Sequence, residues 1–219
     1  MKYNKLQGLE GAVSEVCLGT MTFGEQNSEK ESHEILDTAL ERGINFYDTA
    51  EMYPIPPSED SYHETERIIG RWEKFQTQRE KIIMATKVVG PTNFMTWIRN
   101  GSLKLDLKNI KTACEGSLKR LQTDYIDLYQ LHWPERNTNF FGKLGYEHDD
   151  GDDWTKFEDI LENLKEFIDQ GKIRYVGLSN ETPWGLSKFL EISKNRNLPR
   201  ILSVQNPYNL LNRTYEVGL

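Results

Sequence analysis

Short apolar segments alternate along the chain with segments in which apolar residues recur every three or four positions. Six apolar segments predict strands, at residues 13–20, 44–50, 81–88, 125–132, 173–180 and 201–208. Several of them are apolar at nearly every position, which is typical of parallel strands that are covered on both faces. Five amphipathic segments predict helices, at residues 28–43, 64–75, 109–122, 157–171 and 183–195. Strands that alternate with helices of this length predict an α/β fold made of βαβ units.

The segments between these elements carry further structural signals. Gly43 and Gly171 each follow a helix and precede a strand, where a left-handed glycine commonly ends the helix. Residues 2–16 have room for a small hairpin before the first strand of the main sheet. Two long loops, 89–108 and 133–156, each follow a strand, and loops in that position form the active-site face of a β/α barrel.

Two architectures contain alternating strands and helices. An open doubly wound sheet would want a glycine-rich fingerprint after its first strand, and "GTMTFG" at residues 19–24 is not G-x-G-x-x-G. A complete (β/α)8 barrel usually takes about 250 residues. We therefore predict one domain over residues 1–219, of the (β/α)8 TIM-barrel type, that contains about six β/α units and lacks its last quarter.

Composition and charge exclude several classes of protein. No apolar run approaches the roughly 18 residues that a membrane span needs, and the first residues lack the apolar region of a secretory signal. The net charge of −7, without a basic stripe, argues against nucleic acid as a partner. Cys17 and Cys114 lie in apolar segments, so we interpret them as reduced core residues of a cytoplasmic protein.

Polar side chains interrupt or end three neighbouring predicted strands. Asp48 ends the second strand and Tyr53 follows it, whereas Lys87 and His132 lie in the apolar third and fourth strands. Each residue by itself has an ordinary explanation. Asp48 would be a helix cap and Tyr53 a loop residue, while Lys87 would be an edge lysine that reaches water and His132 a hydrogen-bonded core histidine. Their joint occurrence instead predicts one site, because strand ends meet at one face of a barrel.

Such a site would support proton transfer. A buried Lys87 needs an acidic partner, which Asp48 on the next strand can supply. A cationic lysine favours the phenolate of a nearby tyrosine, so we expect the pKa of Tyr53 to fall from about 10 and Tyr53 to act as a general acid. His132 would offer an N–H group to an oxygen that develops negative charge.

The strands that follow carry amide and hydroxyl groups at their ends. Ser179, Asn180 and Gln205 have the donors and acceptors that could hold a carboxamide, although a Ser-Asn pair after a strand is also common turn chemistry.

At these residues the chain resembles the aldo-keto reductases. The shared motifs, in family order, are "LGTMTFG", "GINFYDTAEMY", "ATKV", "DYIDLYQLHWP", "GKIRYVGLSN" and "VQNPYNLLNR", and "GTMTFGEQNSE", "AEMYP" and "FGKLGY" are most similar to the bacterial Tas-like branch. The resemblance implies NADPH-dependent reduction of aldehydes and ketones, with a tetrad of Asp48, Tyr53, Lys87 and His132. It also implies a set of residues on the cofactor side, namely Gly19, Thr20, Met21, Asp48, Ser179, Asn180 and Gln205.

The same resemblance indicates where a small carbonyl substrate would bind. The apolar substrate wall would consist of Phe23, Met52, Tyr53 and Trp133, with the loop 133–156 as a partial lid. That loop contains the acidic run 148–153, which we interpret as solvated, because it lacks the rest of the calcium-loop pattern. We predict no metal site.

The last family segments are absent from these 219 residues. By the resemblance, strands seven and eight and the loops that hold the pyrophosphate would follow Leu219, so weak NADPH binding and weak or no turnover are expected for this length. The first and sixth strands would be open edges, which invite self-association. Three hypotheses stay open: a reductase, a nucleotide-binding or redox-sensing module that acts through a partner, and an inactive remnant.

Overall fold

The centre of the molecule is a curled sheet of six parallel strands, preceded by a small hairpin. The computed structural model describes residues 1–6, 8–9, 11–141, 145–148, 151 and 153–219. The hairpin strands are β1 (Tyr3–Asn4) and β2 (Val13–Ser14). The main sheet contains β3 (Cys17–Gly19), β4 (Phe46–Asp48), β5 (Ile83–Val88), β6 (Ile126–Leu131), β7 (Ile173–Ser179) and β8 (Ile201–Gln205). The helices are α1 (Glu29–Glu41), α2 (Glu64–Arg71), α3 (Glu73–Thr77), α4 (Leu107–Leu121), α5 (Phe157–Asp169) and α6 (Pro183–Arg196).

The strands of the main sheet follow one another in chain order, from β3 to β8, and all neighbouring pairs are parallel. The predicted βαβ organisation and the hairpin are therefore confirmed. The register aligns Gly19 with Asp48, Asp48 with Ala85 and Ala85 with Leu128. This register brings the carboxyl ends of β4, β5 and β6 to one edge of the curled sheet, which is an open sheet of the β/α-barrel type.

Three details differ from the sequence-based prediction. The segment 13–20 forms two short strands in different sheets, because β2 pairs antiparallel with β1 before the chain bends into β3. The helix predicted over 64–75 is two helices, because Trp72 has extended backbone angles of φ −70° and ψ 118°. Cys17 is not a core residue, because its side chain lies on the exposed inner face of the edge strand β3.

Local signals explain where the helices begin and end. The Ser28 side chain caps α1 and forms a capping box with Glu31, and the Asp106 carboxylate caps α4. Pro183 stands at the first turn of α6, where its missing N–H costs nothing. Gly43 and Gly171 have φ of 83° and 72°, so the left-handed glycines predicted after α1 and α5 are confirmed.

The main apolar core lies between the outer face of the sheet and the helices. Strand residues that point outward meet the apolar stripes of the helices there, and they include Tyr47, Met84, Tyr129 and Val176. The inner face of the sheet instead borders a cavity of about 700 Å³, lined by residues that include Phe46, Ile83, Leu128, Gln130 and Gln205. In the described part of the chain, no helix is long and apolar enough to cross a lipid bilayer.

Candidate active site

A buried ion pair occupies the inner face of the sheet near the carboxyl ends of β4 and β5. Lys87 is fully buried, and its Nζ donates to Asp48 Oδ2 at 2.6 Å and to the Thr49 carbonyl oxygen at 2.8 Å. The other carboxylate oxygen, Asp48 Oδ1, accepts from Gln130 Nε2 at 2.9 Å. Side chains alternate between the two faces of each strand, so Lys87 on β5 and Asp48 on β4 both point to the inner face. The Lys87 charge therefore has a counter-ion, Asp48, whose two carboxylate oxygens are both hydrogen-bonded.

Tyr53 is carried over this ion pair by the turn that follows β4. The Tyr53 N–H donates to the Ala50 carbonyl oxygen at 3.1 Å, which closes the turn. Lys87 Nζ lies 5.0 Å from the centroid of the Tyr53 ring. The structure therefore brings Tyr53, Lys87 and Asp48 together, as the predicted tetrad requires.

Burial and charge act in opposite directions on Tyr53. Burial raises the pKa of its hydroxyl, and this effect outweighs the lowering by the Lys87 ammonium, so the net pKa lies above its ordinary value. The prediction of a lowered Tyr53 pKa is therefore wrong. Burial also lowers the pKa of Lys87, but the Asp48 carboxylate and the Tyr53 hydroxyl outweigh it and leave that pKa raised. The site thus holds a protonated phenol beside a permanent cation.

His132 follows β6 and completes the group. Its ring meets the Tyr53 ring edge-on, with the centroids 5.7 Å apart and an interplanar angle of 82°. Burial first and the Lys87 charge second hold the pKa of His132 well below its usual range, so the imidazole is neutral. Its Nδ1 is buried and has no hydrogen-bond partner within the described residues. A neutral imidazole has one N–H donor and one acceptor nitrogen.

The polar residues after β7 and β8 form a connected hydrogen-bond group. Ser179 Oγ donates to the Gln205 carbonyl oxygen at 3.0 Å, and Asn180 Nδ2 donates to Ser179 Oγ at 3.2 Å and to the His132 carbonyl oxygen at 2.9 Å. The Gln205 side chain is exposed and lines the inner cavity. The donors of Ser179 and Asn180 are thus committed, which leaves the Gln205 amide and the Asn180 amide oxygen for a ligand.

The residues predicted on the cofactor side of β3 have different surroundings from one another. Thr20 is buried, and its N–H and its Oγ1 both donate to the Asp48 carbonyl oxygen, at 3.0 and 2.9 Å. Gly19 is exposed at the end of β3, and Met21 is 45% exposed. The Thr20 side chain therefore fixes the end of β4, while Gly19 and Met21 border open space.

The predicted substrate wall is only partly assembled. Met52, Tyr53 and Trp133 share one buried apolar cluster with residues of the loop after β5. Phe23 is separate from them, because it lies in the main core behind the sheet and only 2% of it is exposed. Its backbone oxygen accepts from Thr65 Oγ1 at 2.7 Å, which ties it to α2. Phe23 is thus a core residue, and the prediction that it lines the substrate site is wrong.

The prediction of a solvated acidic loop falls partly outside the described residues, because the structure does not describe positions 149, 150 and 152. Within the described ranges, no group of three or more His, Cys, Asp or Glu side chains is placed to hold a metal ion.

Two residues at the site carry roles that the sequence reasoning did not assign. Gln130 fills the second carboxylate oxygen of Asp48, and its signal was its position two residues before His132 on the same strand face. Glu51, in the turn between Asp48 and Tyr53, is buried and accepts from the Val89 N–H at 3.0 Å. A carboxylate inside the apolar "TAEMY" turn was the corresponding signal.

Comparison with known proteins agrees with this arrangement. The model of the Aldo/keto reductase family matches residues 15–219. The chain is 49% identical over its whole length to "Protein tas" of Escherichia coli (strain K12), and 36% identical over 99% of its length to "Uncharacterized oxidoreductase YrpG" of Bacillus subtilis (strain 168). It spans 63% and 61% of the lengths of those two proteins.

A solved structure is similar to the fold as well. The crystal structure of the thermostable aldo-keto reductase Tm1743, in complex with the inhibitor epalrestat, is 28% identical in sequence and matches with a TM-score of 0.74. The match covers 100% of this chain and 66% of that chain.

Proposed function

The chain belongs to the aldo/keto reductase family. On that premise we propose that it functions as an NADPH-dependent oxidoreductase that reduces aldehydes and ketones to alcohols. Family membership supports oxidoreductase activity and a nicotinamide cofactor. The activity of the whole protein is part of the proposal, because the chain spans 63% of its relative from Escherichia coli. The observation that carries the proposal is the buried Lys87–Asp48 pair beneath the Tyr53 ring.

Tyr53 is the proposed proton donor. Its raised pKa keeps the hydroxyl protonated at neutral pH, which suits an acid that must give a proton to a carbonyl oxygen. When the proton leaves, the phenolate forms next to the Lys87 ammonium, whose charge stabilises it. Asp48 and the Thr49 carbonyl hold Lys87 in that position. The Lys87 ammonium therefore offsets part of the cost of forming the phenolate in this buried site.

His132 is the proposed orienting group. As a neutral imidazole it donates one N–H to the carbonyl oxygen without competing for the proton of Tyr53. Met52 and Trp133 supply apolar surface beside Tyr53 for the carbon side of a small carbonyl substrate.

The residues after β7 and β8 fit a nicotinamide carboxamide, which needs one donor and one acceptor. The exposed Gln205 amide supplies both, the Asn180 amide oxygen adds an acceptor, and Ser179 fixes Asn180 in place. Gly19, Thr20, Met21 and Asp48 are the proposed border of this pocket at the ends of β3 and β4. When bound, NADPH supplies the hydride that the carbonyl carbon accepts.

The test is NADPH oxidation by the 219-residue chain with a panel of aldehydes and ketones, compared with Tyr53→Phe. Turnover at this length is expected to be weak, and loss of a general acid should lower its kcat by about 10²-fold or more, while NADPH binding, followed by tryptophan fluorescence, stays unchanged. Turnover that Tyr53→Phe does not affect would reject the acid assignment. NADPH binding without turnover would favour the redox-sensing alternative. A chain that neither binds NADPH nor reduces a carbonyl compound would favour the inactive remnant.

The proposed location is the cytoplasm, because Cys17 and Cys114 are both free thiols. Self-association is the proposed mode of partnership. Within the described residues β3 and β8 each pair with one neighbour only, and such edges favour pairing with another chain. Light scattering should give a mass above that of one chain, and a monomer at every concentration would contradict this proposal.

A further inference from the structure

The turn that carries Tyr53 is held from behind by a second buried ion pair. Glu51 is 2% exposed, and its carboxylate accepts from the Arg99 guanidinium and, at 3.0 Å, from the Val89 N–H. The Glu51 N–H donates to the Lys87 carbonyl oxygen at 3.1 Å. The His63 ring contacts the Glu51 carbonyl oxygen. Every polar group of Glu51 is therefore used to join this turn to its surroundings.

Arg99 reaches Glu51 from the loop after β5, and this segment has an unusual backbone. The Arg99 side chain is 8% exposed, and it also donates to the Val89 carbonyl oxygen at 3.4 Å. Arg99 and Asn100 have φ of 47° and 55°, a left-handed conformation that non-glycine residues rarely adopt. Such a conformation persists only where surrounding contacts fix it, and it is concentrated at functional sites. The bonds from the Arg99 guanidinium to Glu51 and to the Val89 carbonyl oxygen are contacts that hold Arg99 here.

Apolar packing joins the same two segments. Ile98, Met95 and Leu103 of the loop share one buried cluster with Met52 and Tyr53. The loop after β5 is therefore the back wall of the Tyr53 turn, with the Arg99–Glu51 pair as its polar centre.

The geometry between Tyr53 and Lys87 depends on this turn at two points. Tyr53 is part of the turn, and Lys87 Nζ donates to the carbonyl oxygen of Thr49 in the same turn. A displacement of the turn therefore moves the phenol and one of the ligands of the ammonium together. The Glu51 N–H also ties the turn to the Lys87 backbone.

We propose that Arg99 is a positioning residue, whose bond to Glu51 sets the distance between the Tyr53 hydroxyl and the Lys87 ammonium. This inference rests on the proposed role of Tyr53 as the acid. Arg99 touches no reacting group, so its effect is transmitted through the turn 49–53. A purely structural pair would instead contribute to stability without affecting proton transfer selectively.

The chain offers a matched control. Arg120 forms a comparable buried pair, with its Nε 2.6 Å from Glu66 Oε2, and this pair joins α4 to α2. Its hydrogen bonds go to Glu66 and Ser117, whereas its charge also acts on Glu51, so it controls for the loss of a nearby buried cation. We expect Arg99→Met to lower kcat by about 10²-fold with the KM for NADPH nearly unchanged, because small misplacements of a reacting group cost that much. Arg120→Met should lose similar thermal stability and keep a kcat close to that of the unmodified chain.

A second measurement does not depend on turnover. The chain is labelled with 3-fluorotyrosine at its 10 tyrosines. The fluorine resonance of Tyr53 is identified as the one that is absent from the spectrum of Tyr53→Phe. We expect Arg99→Met to move this resonance and Arg120→Met to leave it in place. If the unmodified chain shows only the weak or absent turnover that is expected at this length, the fluorine spectrum decides by itself whether Arg99 positions Tyr53, whatever the outcome for the proposed function.

A more conservative variant covers the case in which Arg99→Met does not fold. Arg99→Lys keeps the charge but lacks the planar fork that reaches both Glu51 and the Val89 carbonyl. It should lower kcat less than Arg99→Met and move the Tyr53 resonance in the same direction. The proposal would be overturned if Arg99→Met and Arg99→Lys both left kcat and the Tyr53 resonance unchanged. It would also be overturned if Arg120→Met changed both quantities equally.

Discussion

The substitution Asp48→Asn has the most definite consequence, because it removes the negative charge beside Lys87 and keeps the size of the side chain. Lys87 is fully buried and its Nζ lies 2.6 Å from Asp48 Oδ2, so the variant leaves an ammonium group without a counter-charge in the interior. Removing one partner of a buried ion pair costs roughly 3–5 kcal/mol of unfolding free energy.

The loss has an upper limit, because Lys87 can release its proton. From an ordinary lysine pKa of about 10.4, neutralisation at pH 7 costs about 1.36 kcal/mol for each of roughly 3.4 pH units, or about 4.6 kcal/mol. We therefore expect Asp48→Asn to lower the unfolding free energy at pH 7 by about 3 to 4.6 kcal/mol.

The pH dependence of this loss follows from proton binding. In the unmodified chain Lys87 is charged at neutral pH in both states, in the unfolded state because of its ordinary pKa of about 10.4 and in the folded state because its pKa is raised. Its contribution is present below the unfolded pKa and is lost as pH rises through the raised folded pKa. In Asp48→Asn a neutral Lys87 binds fewer protons when folded than when unfolded, so stability rises with pH. The deficit should shrink by up to about 1.4 kcal/mol per unit between about pH 7 and 10.

The assay is urea unfolding, followed by tryptophan fluorescence and circular dichroism, at two pH values about two units apart. The control is the double variant Asp48→Asn/Lys87→Met, which removes both charges and should recover most of the lost stability. An Asp48→Asn variant that is as stable as the unmodified chain, or one whose loss of stability is the same at both pH values, would contradict the buried Lys87–Asp48 charge pair.

Further predictions concern the packing of α2, the start of α1 and the pH profile of reduction. In Gly70→Ala the new Cβ would lie 2.1 Å from the Arg120 carbonyl oxygen, so α2 must move away from α4. This should lower the unfolding free energy, measured in urea, by about 1–3 kcal/mol. An unchanged urea midpoint would contradict this contact. Ser28→Ala removes the capping box of α1 and should cost about 1 kcal/mol in the same assay, whereas an equally stable variant would deny the cap a role. The pKa of Tyr53 is raised and that of His132 is well below its usual range. The kcat for carbonyl reduction should therefore stay level from about pH 7 to 9 and fall only above about pH 10. A break in the kcat profile near neutrality would exclude Tyr53 as the acid.

The order of strands and helices could be predicted because burial imposes a periodicity on the sequence. Lys87 and His132 stood out for the same reason, since a titratable side chain in an apolar strand breaks that periodicity. The direction of the Tyr53 pKa could not be predicted, because it is the balance between depth of burial and distance to a charge.

Other features depend on contacts between distant parts of the chain. Arg99 meets Glu51 across 48 positions, and no local pattern around either residue indicates the other. Phe23 was assigned to the wrong surroundings because a short turn after β3 directs it behind the sheet, and an apolar residue in such a turn is compatible with either side.

The parallel order of the sheet divides the proposed work between two continuous stretches of chain. Proton delivery is confined to the units built on β4, β5 and β6, whereas the carboxamide contacts come from β7 and β8. The two stretches meet along the parallel pairing of β6 with β7, and a side-chain hydrogen bond from Asn180 Nδ2 to the His132 carbonyl oxygen, at 2.9 Å, joins them at its end. The later units can therefore be exchanged to change how the nicotinamide ring is held while the acid is inherited unchanged, provided that the β6–β7 pairing is kept.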